Sequence, residues 1–435
     1  MMLLIRSIVV IVLALAALPC IGQENRLFDD VSFMADSVLT RYPGSDGDFA
    51  VRQYITNRFI ASGLEVEVQS FDITEYVWGE GMMQLFNSYD YINLDFGEDF
   101  AVSGQSQADT LSSEYVVIQG TLADSLHFLM NGKIAIILPR KSHSNNKVIT
   151  ISEANQAGAK AYITVLRPDM KVNINPSKGH HRQPHSIPIL SISYNTLENL
   201  IPVSLLQVNE DYIYEAPPSQ KLRLAVRRHE KHIQAVNLIG CRKGVSGQYI
   251  IIGAHYDSLL PDPKTGCLRP GANDNASGVA VLLSLADKLN RIPLQDNILF
   301  VAFGGEEKGL LGSMSFLNKI TFDKEVVKEM INLDMLGLMQ NQELYYRQYN
   351  NAQVDPSDID SSKFTLIEGG DFMSDYYSFA AAGVPTSYFY TGEDKMIHTS
   401  GDTSDRLNYG GMVDILEFLV DYISALSFIN PVSSN

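Results

Sequence analysis

Histidine and carboxylate residues recur at the ends of apolar, strand-like segments in the second half of this chain. A further carboxylate, Asp274, lies in the glycine-flanked segment 271–278, just before a predicted helix. In an open α/β sheet, ligands bind beyond the carboxyl ends of the strands, so we expect these side chains to lie close together. The groups that follow strands are His255, Glu306, Glu307, Asp334 and His398.

The residue types in this set are those that bind metal ions. Imidazole nitrogens and carboxylate oxygens suit Zn²⁺, and they also suit Co²⁺ or Mn²⁺. The excess of carboxylate over imidazole favours two cations that share a bridging ligand, and the short side chain of Asp274 on a tight turn is the natural bridge. Adjacent Glu306 and Glu307 cannot point the same way. One can therefore bind metal while the other accepts a proton from a metal-activated water.

Asp257 follows His255 by two residues, and we expect it to accept the second ring N–H of that histidine and so fix its tautomer. Each of these features alone also has a structural explanation. A His-x-Asp pair is often a surface hydrogen bond, a Glu-Glu pair is often a solvated face, and Asn-Asp-Asn before a helix is often a cap. Their joint occurrence at several strand ends is what favours a site.

The elements that position these residues indicate an α/β fold. Apolar segments without alternation, separated by helical patterns, predict a mixed, largely parallel sheet covered by helices on both faces. Helical spacing is clear within 29–62 and 277–290. A terminal helix is predicted at 412–428, after a break at Gly410-Gly411.

Residues 76–227 have a different sequence pattern, with short strand-like runs, many turns and polar loops. We therefore predict that they form a β-rich inserted domain. The segments 23–75 and 228–435 then make up a single catalytic domain that is interrupted in the sequence.

The N-terminus has the pattern of a secretory signal. Arg6 precedes the eleven-residue apolar run 8–18, which is too short to span a bilayer, and Pro19 ends that run. We predict that residues 1–22 are a cleaved signal peptide, that the mature protein is secreted or periplasmic, and that it keeps no stable membrane anchor. The mature chain would retain Cys241 and Cys267, whose pairing the sequence leaves open, as it does the oligomeric state.

Charge excludes one class of partner. Among the 435 residues there are 33 Lys and Arg against 50 Asp and Glu, which makes the formal net charge −17. Nucleic-acid binding needs clustered basic residues that neutralise phosphates, so we expect no nucleic-acid partner.

The motifs around these residues resemble those of the zinc aminopeptidase family, of the secreted bacterial leucyl aminopeptidase type. Glutamate carboxypeptidase II and the transferrin receptor ectodomain are distant relatives of that family. The resemblance covers about 235–425 and the N-terminal helices, and the inserted region is similar to a protease-associated domain. The matching segments are 252–258, 271–278, 303–313, 332–337 and 398–403.

The resemblance implies a role for each residue. His255 and Asp334 would bind one Zn²⁺, Glu307 and His398 would bind the other, and Asp274 would bridge them. Glu306 would be the general base, and Asp257 would be the partner of His255. Some family members place a tyrosine before the last histidine, where this chain has Ile397, so the oxyanion donor stays open, with Tyr388 and Tyr390 as candidates.

The activity implied is that of a metallo-aminopeptidase acting on peptides with a free N-terminus. Two enzymatic alternatives stay open. One is a glutaminyl cyclase, which has a similar fold with one zinc, and the other is a glutamate-releasing carboxypeptidase, which would need a basic pocket for substrate carboxylates. A binding ectodomain without catalysis is disfavoured, because such relatives lose metal ligands and this chain keeps all five.

Overall fold

The computed structural model describes residues 22–38, 40–87, 89–103, 106–119, 128–138, 149–172, 185–202, 204, 212–262, 265–370 and 372–428. The predicted signal segment lies outside these ranges, except for its last residue. The chain divides into two compact units, one formed by Thr74–His232 and the other by the chain on either side of it.

The strands, in chain order, are β1 (Glu65–Asn87), β2 (Tyr91–Leu94), β3 (Phe100–Val102), β4 (Asp109–Ser113), β5 (Tyr115–Gln119), β6 (Ile134–Ile137), β7 (Ala161–Val165), β8 (Ile189–Ile192), β9 (Tyr212–Glu215), β10 (Gln220–Arg242), β11 (Tyr249–His255), β12 (Asn297–Phe303), β13 (Val327–Leu333), β14 (Glu343–Tyr349), β15 (Thr365–Glu368) and β16 (Thr386–Tyr390).

The helices are α1 (22–32), α2 (Asp46–Ala61), α3 (Ile151–Gln156), α4 (Tyr194–Leu197), α5 (Gly278–Leu289), α6 (Leu311–Lys319), α7 (Tyr376–Ala381) and α8 (Tyr409–Phe428). Among the described residues, no helix is both long enough and apolar enough to cross a bilayer.

The larger unit is built on one mixed sheet, in the order β15-β14-β16-β13-β11-β12-β10-β1. The four central strands β12, β11, β13 and β16 run parallel, whereas β10 and β14 pair antiparallel with β12 and β16. The carboxyl ends of the four parallel strands therefore meet at one edge of the sheet. This architecture confirms the predicted largely parallel α/β fold.

Both faces of this sheet are covered by helices, which explains why its strands are apolar without alternation. Ile250 and Ile252 of β11 are fully buried in a cluster that also contains side chains of α1, α2, α5 and α8. Their neighbour Ile251 points the other way, into a cluster with Phe316 of α6 and Phe379 of α7. Complete burial of one such side chain stabilises the fold by about 1.5–3 kcal/mol.

The smaller unit contains a second sheet, in the order β3-β8-β7-β6-β5-β9. Strands β5 to β8 pair parallel in sequence order, and β3 and β9 close the two edges antiparallel. In the same unit, β2 and β4 pair with the distal parts of β1 and β10. Its buried side chains form apolar clusters within the unit. Its resemblance to a protease-associated domain stays a prediction.

The predicted break at Gly410-Gly411 is wrong, because both glycines lie in the first turn of α8. The Asn408 side chain accepts the Gly411 N–H at 2.9 Å and so satisfies a donor that the first turn leaves unpaired. A Cβ atom at Gly411 would lie 2.8 Å from the side chain of Met339. Gly411 therefore allows α8 to pack closely against Met339 and does not interrupt the helix.

A buried carboxyl group lies between β13 and α8. Glu329 is fully buried, and its Oε1 accepts the Tyr422 hydroxyl at 2.6 Å, while its Oε2 has no hydrogen-bond partner among the residues that the structure describes. Tyr422 and Ser387 hydroxyls are 3.0 Å apart, and Gln348 donates to Ser387 at 2.9 Å. Burial raises the pKa of Glu329 to about 7, only partly offset by hydrogen bonds. Folding therefore favours its neutral form.

Because the pKa of Glu329 is raised on folding, its contribution to stability is present at low pH and is lost as pH rises through about 7. We expect the free energy of unfolding of the wild type, relative to Glu329→Gln, to fall by up to about 3 kcal/mol between about pH 4.5 and pH 8. Urea unfolding at several pH values measures this difference.

The exposed Glu368→Gln variant is the control, and its stability should follow that of the wild type across the same range. Parallel pH profiles for the wild type and Glu329→Gln would show that Glu329 is ionised in the folded protein.

Candidate metal centre

The five predicted ligands lie together at the carboxyl edge of the parallel strands. His255 is the last residue of β11, and Asp334 directly follows β13. Glu307 lies four residues beyond the end of β12, and His398 is in the loop after β16. Asp274 comes from the loop that enters α5. The structure therefore brings into contact residues that are more than 140 positions apart in the chain.

Asp274 lies between the two histidines, and each of its oxygens faces one of them. Its Oδ1 is 3.2 Å from Nε2 of His255, which is 3.5 Å from Oδ1 of Asp334. Its Oδ2 is 3.0 Å from Nε2 of His398, which is 3.5 Å from Oε2 of Glu307. Two groups of three donors thus share one carboxylate, and the donor atoms of each group lie within 4.8 Å of one another.

The backbone of Asp274 is held by a second carboxylate. Asp402 accepts the N–H groups of Asn273 at 2.8 Å and of Asp274 at 3.0 Å. Asp402 belongs to segment 398–403, which matches the zinc aminopeptidase motifs, but no role was predicted for it from the sequence. Because Asp402 lies four residues from His398, this contact also fixes the His398 loop against the Asp274 loop.

Polar side chains around Asp274 hold the loop that carries Asp334. Asn275 donates to the Leu333 carbonyl at 2.9 Å and accepts the Met335 N–H at 3.2 Å. Asn273 accepts the Gly337 N–H at 2.9 Å. These side-chain bonds to backbone set the spacing between the Asp274 and Asp334 carboxylates. Asn275 also accepts the N–H of Gly278, the first residue of α5, at 3.0 Å, so the segment caps the helix and holds the Asp334 loop as well.

Backbone conformation also turns these loops toward the centre. His398 has a φ of 61°, and Met335, which follows Asp334, has a φ of 54°. Such left-handed angles are uncommon for residues other than glycine, and they concentrate at functional sites.

Arg41, in the N-terminal segment, holds backbone segments beside the predicted metal centre in place. Its side chain is 1% exposed, and its guanidinium donates only to backbone carbonyls: Tyr256 at 2.8 Å, Gly271 at 2.8 Å, Met34 at 2.9 Å and Pro270 at 2.6 Å. It therefore joins the end of β11 to the Asp274 loop. A side chain at position 271 would be strained, because φ is 61° and a Cβ would lie 2.4 Å from the backbone oxygen of Asp274. Sequence patterns alone did not identify Arg41.

Asp257 contacts the glutamate pair more closely than it contacts His255. Its two oxygens accept the backbone N–H groups of Glu306 at 3.0 Å and Glu307 at 3.2 Å. Its Oδ1 is 3.7 Å from Nδ1 of His255, which is longer than a hydrogen bond, and Nδ1 has no hydrogen-bond partner within the described part of the chain. Asp257 thus orients the turn that carries both glutamates.

Burial and neighbouring acidic groups raise the pKa of both Glu306 and Glu307. Burial raises the pKa of Glu307 to about 8, with a further contribution from the Asp274 carboxylate. Burial also raises the pKa of Glu306 well above its usual range, and nearby Asp375 and Glu307 add to the effect. Perturbed carboxyl groups that cluster in this way are typical of functional sites.

Neighbouring carboxylates also raise the pKa of both imidazoles, His255 and His398. A hydrogen bond with Asp274 raises the pKa of His398 to about 9. Burial lowers the pKa of His255, but the Glu306 and Asp334 carboxylates outweigh burial and the net shift is upward. The buried Oδ1 of Asp334 faces His255 but has no hydrogen-bond partner in the described ranges. Nitrogen and oxygen donors around unpaired buried charge fit divalent cations.

Asp375 is a further acidic residue that sequence reasoning missed. It is fully buried, neither of its carboxylate oxygens has a hydrogen-bond partner among the described residues, and burial raises its pKa to about 7. The preceding Ser374 donates to Asp334 Oδ2 at 2.7 Å and accepts from Asn332 at 2.9 Å. No local pattern marks a single Ser-Asp pair in a loop as part of a site.

The tyrosines singled out in the sequence pack together. Tyr388 stacks on Tyr376 and on Tyr390, with ring centroids 5.0 Å apart in each pair. Its buried hydroxyl has no hydrogen-bond partner among the residues described. Tyr345 packs on Tyr390 at 5.2 Å. An oxyanion role for Tyr388 or Tyr390 stays a prediction. Cys241 and Cys267 are both free thiols.

Comparison with known proteins agrees with this geometry. Residues 237–423 match peptidase family M28. Aminopeptidase YwaD of Bacillus subtilis is 25% identical over 412 residues, which cover 89% of this chain and 81% of that protein.

Solved structures show the same fold. An aminopeptidase from Aneurinibacillus sp. strain AM-1 superposes with a TM-score of 0.65 at 24% identity, covering 94% of this chain and 96% of the other. A zinc aminopeptidase from Bacillus subtilis superposes with a TM-score of 0.57 at 21% identity and the same coverage. A glutaminyl cyclase from Fimbriiglobus ruber reaches 0.50 at 14% identity over 92% of this chain and 94% of the other, so the fold alone does not choose between the two activities.

Residues 237–423 of this chain are therefore similar to peptidase family M28, and the predicted resemblance to the zinc aminopeptidases is confirmed.

Proposed function

We propose that this protein is an aminopeptidase that uses two Zn²⁺ ions to remove N-terminal residues from peptides. The observation that carries the proposal is the position of Asp274, whose two oxygens face separate histidine–carboxylate pairs. The M28 match and the aminopeptidase relatives support peptides as substrates.

His255 and Asp334 would hold one cation, Glu307 and His398 would hold the other, and Asp274 would bridge them. Co²⁺ or Mn²⁺ would also suit this donor set. When bound, the cations would lower the pKa of a water molecule and polarise the scissile carbonyl.

Glu306 is the residue best placed to act as general base. Its neighbour Glu307 has an oxygen 3.5 Å from His398, as a ligand of the same cation would. Asp257 accepts both backbone N–H groups and so fixes the turn that carries the two side chains. Glu306 accepts the proton of the attacking water and passes it to the leaving amine as the C–N bond breaks. Acidic groups around the centre hold the substrate's α-ammonium group.

We also propose that residues 1–22 direct secretion and that the smaller unit, residues 74–232, is protease-associated-like and influences substrate choice. The apolar run 8–18 after Arg6 supports the first proposal. The second is supported by the absence of predicted ligands from the smaller unit: every one of the five lies in the larger unit.

A peptide panel tests the activity. We expect the mature protein to shorten a peptide with a free N-terminus by single residues and to leave the N-acetylated peptide intact, with products read by mass spectrometry. Loss of ammonia from a Gln-initiated peptide without removal of a residue would instead identify a glutaminyl cyclase. Release of C-terminal glutamate would identify a carboxypeptidase.

The two glutamates are separated by amide substitutions. Glu306→Gln keeps the side-chain shape but removes its basicity, so kcat should fall roughly 10²- to 10⁴-fold, with zinc content and KM little changed. Glu307→Gln should lose zinc, and excess zinc should partly restore its activity. Steady-state kinetics beside metal analysis measures both effects.

Glu325→Gln, at an exposed position, is the control and should match the wild type in both measurements. Loss of zinc from Glu306→Gln with retention in Glu307→Gln would reverse the two assignments.

The bridging role of Asp274 predicts a difference in metal stoichiometry. A shared carboxylate reduces the repulsion between two cations, so Asp274→Ala should release both, whereas His398→Ala should weaken mainly one. Equilibrium dialysis followed by elemental analysis counts the ions per chain. The exposed neighbour Asp405→Ala should retain two. Two tightly bound ions in Asp274→Ala would exclude the bridge.

A further inference from the structure

Lys308 directly follows the two glutamates, and its side chain is buried against the N-terminal segment of the chain. Lys308 is 6% exposed, and its Nζ donates a hydrogen bond to the Tyr42 hydroxyl and lies 3.9 Å from the centroid of the Tyr42 ring. Lysine is almost never fully buried unless its charge has a partner, and an aromatic ring stabilises a nearby ammonium group. This contact joins residues 266 positions apart, and the proposed mechanism assigns it no role.

Tyr42 is itself held firmly in the fold. It is 5% exposed, its carbonyl accepts the Ser45 N–H at 3.0 Å, and its neighbour Arg41 is fixed by four backbone carbonyls. A side chain in a closely packed cluster has little freedom to move, so Tyr42 is a rigid support for Lys308. The Tyr42 ring packs in an apolar cluster with Phe71, Ile73, Ile233, Ala235 and Leu311.

The turn that carries the glutamates is thereby held at three consecutive residues. Asp257 accepts the backbone N–H groups of Glu306 and Glu307, and the Lys308 side chain is bonded to Tyr42. Two hydrogen bonds to a single carboxylate leave the turn able to tilt about that carboxylate. The contact between Lys308 and Tyr42 comes from a different part of the chain and opposes this tilt.

Proton transfer is sensitive to the position of this turn. A general base must lie within about 2.6–3.2 Å of the proton donor, and a displacement of about 1 Å can lower a rate by roughly 100-fold. Metal binding is expected to depend less on the turn, because Asp274 and His398 supply the other donors of the group that contains Glu307.

We propose that Tyr42 is a positioning residue for the general base and acts through Lys308 on the turn that carries Glu306. This inference rests on the proposed aminopeptidase function, in which Glu306 accepts the proton of the attacking water. Because Tyr42 is buried in an apolar cluster, its effect should appear in kcat and not in KM.

A double-mutant cycle tests the inference, with excess zinc in the buffer and the panel peptide that the wild type shortens fastest. Tyr42→Phe keeps the ring and the lysine charge but removes the hydroxyl, so kcat should fall about 10- to 100-fold while KM stays within about twofold. Lys308→Met should lower kcat at least as much. Because the two residues act through one contact, the double variant should lose no more than Lys308→Met alone.

Hydrogen exchange of the backbone amides, measured by mass spectrometry, gives a second readout that does not depend on activity. Loss of the contact should allow the turn to open more often, so amides in 305–308 should exchange faster in Tyr42→Phe and in Lys308→Met than in the wild type. The same zinc-containing buffer is used for all proteins.

Tyr115→Phe, in the smaller unit, is the matched control. It also removes a buried hydroxyl, which donates to the Leu200 carbonyl at 2.6 Å. Its stability should fall, whereas its kcat and the exchange of 305–308 should equal those of the wild type.

Three results would each overturn the inference and leave the proposed function standing: wild-type kcat in Tyr42→Phe, additive losses in the double variant, or unchanged exchange at 305–308. If Tyr42→Phe does not fold, wild-type kcat and exchange in Lys308→Met overturn it instead. A wild type that shortens no peptide of the panel refutes the proposed function and the catalytic role of Tyr42 with it.

Discussion

The carboxylate of Asp274 between two imidazoles is the interaction on which the rest of the site depends. A single aspartate can face both His255 and His398 only if three loops approach one another closely. Each of these loops carries acidic groups, so their approach concentrates negative charge in a buried region. Either protons or cations must neutralise that charge, because isolated buried carboxylates are strongly unfavourable.

The fold brings these loops close to one another in two ways. Parallel strands bring the ends of β11, β12 and β13 to one edge of the sheet, which places the predicted ligands close together. Side-chain bonds to backbone then set the final distances. Asp402 holds the Asp274 loop, Asp257 holds the glutamate turn, and Arg41 ties β11 to the Asp274 loop. These contacts explain why so many polar side chains near the centre are buried without being ligands.

The same arrangement separates the proposed roles of chemically similar groups. Glu306 and Glu307 are adjacent in sequence, but only Glu307 has an oxygen near His398 among the described contacts. In the proposed mechanism, one carboxylate would bind a cation and the other would remain for proton transfer. Active sites commonly give chemically identical residues different acid and base roles by placing them in different surroundings.

Much of this protein could be predicted from its amino-acid sequence, because the relevant patterns are local. Apolar runs indicated β11, β12 and β13, and helical spacing indicated α2 and α5. Strand ends followed by His255, Glu307 and Asp334 indicated where acidic and imidazole groups would meet. These predictions depend on residue type and short-range periodicity, which the chain displays directly.

Only the tertiary structure decided the contacts between distant residues. Asp257 could be assigned to His255 by proximity in sequence, but the folded chain places the Glu306 and Glu307 N–H groups closer. Arg41 bonds to carbonyls about 215 and 230 positions away, and no periodic pattern records such contacts. Gly411 was read as a break because glycine lowers helix propensity, yet packing against Met339 requires it there. Local sequence determines what each segment tends to form, whereas the packing of segments determines which groups meet.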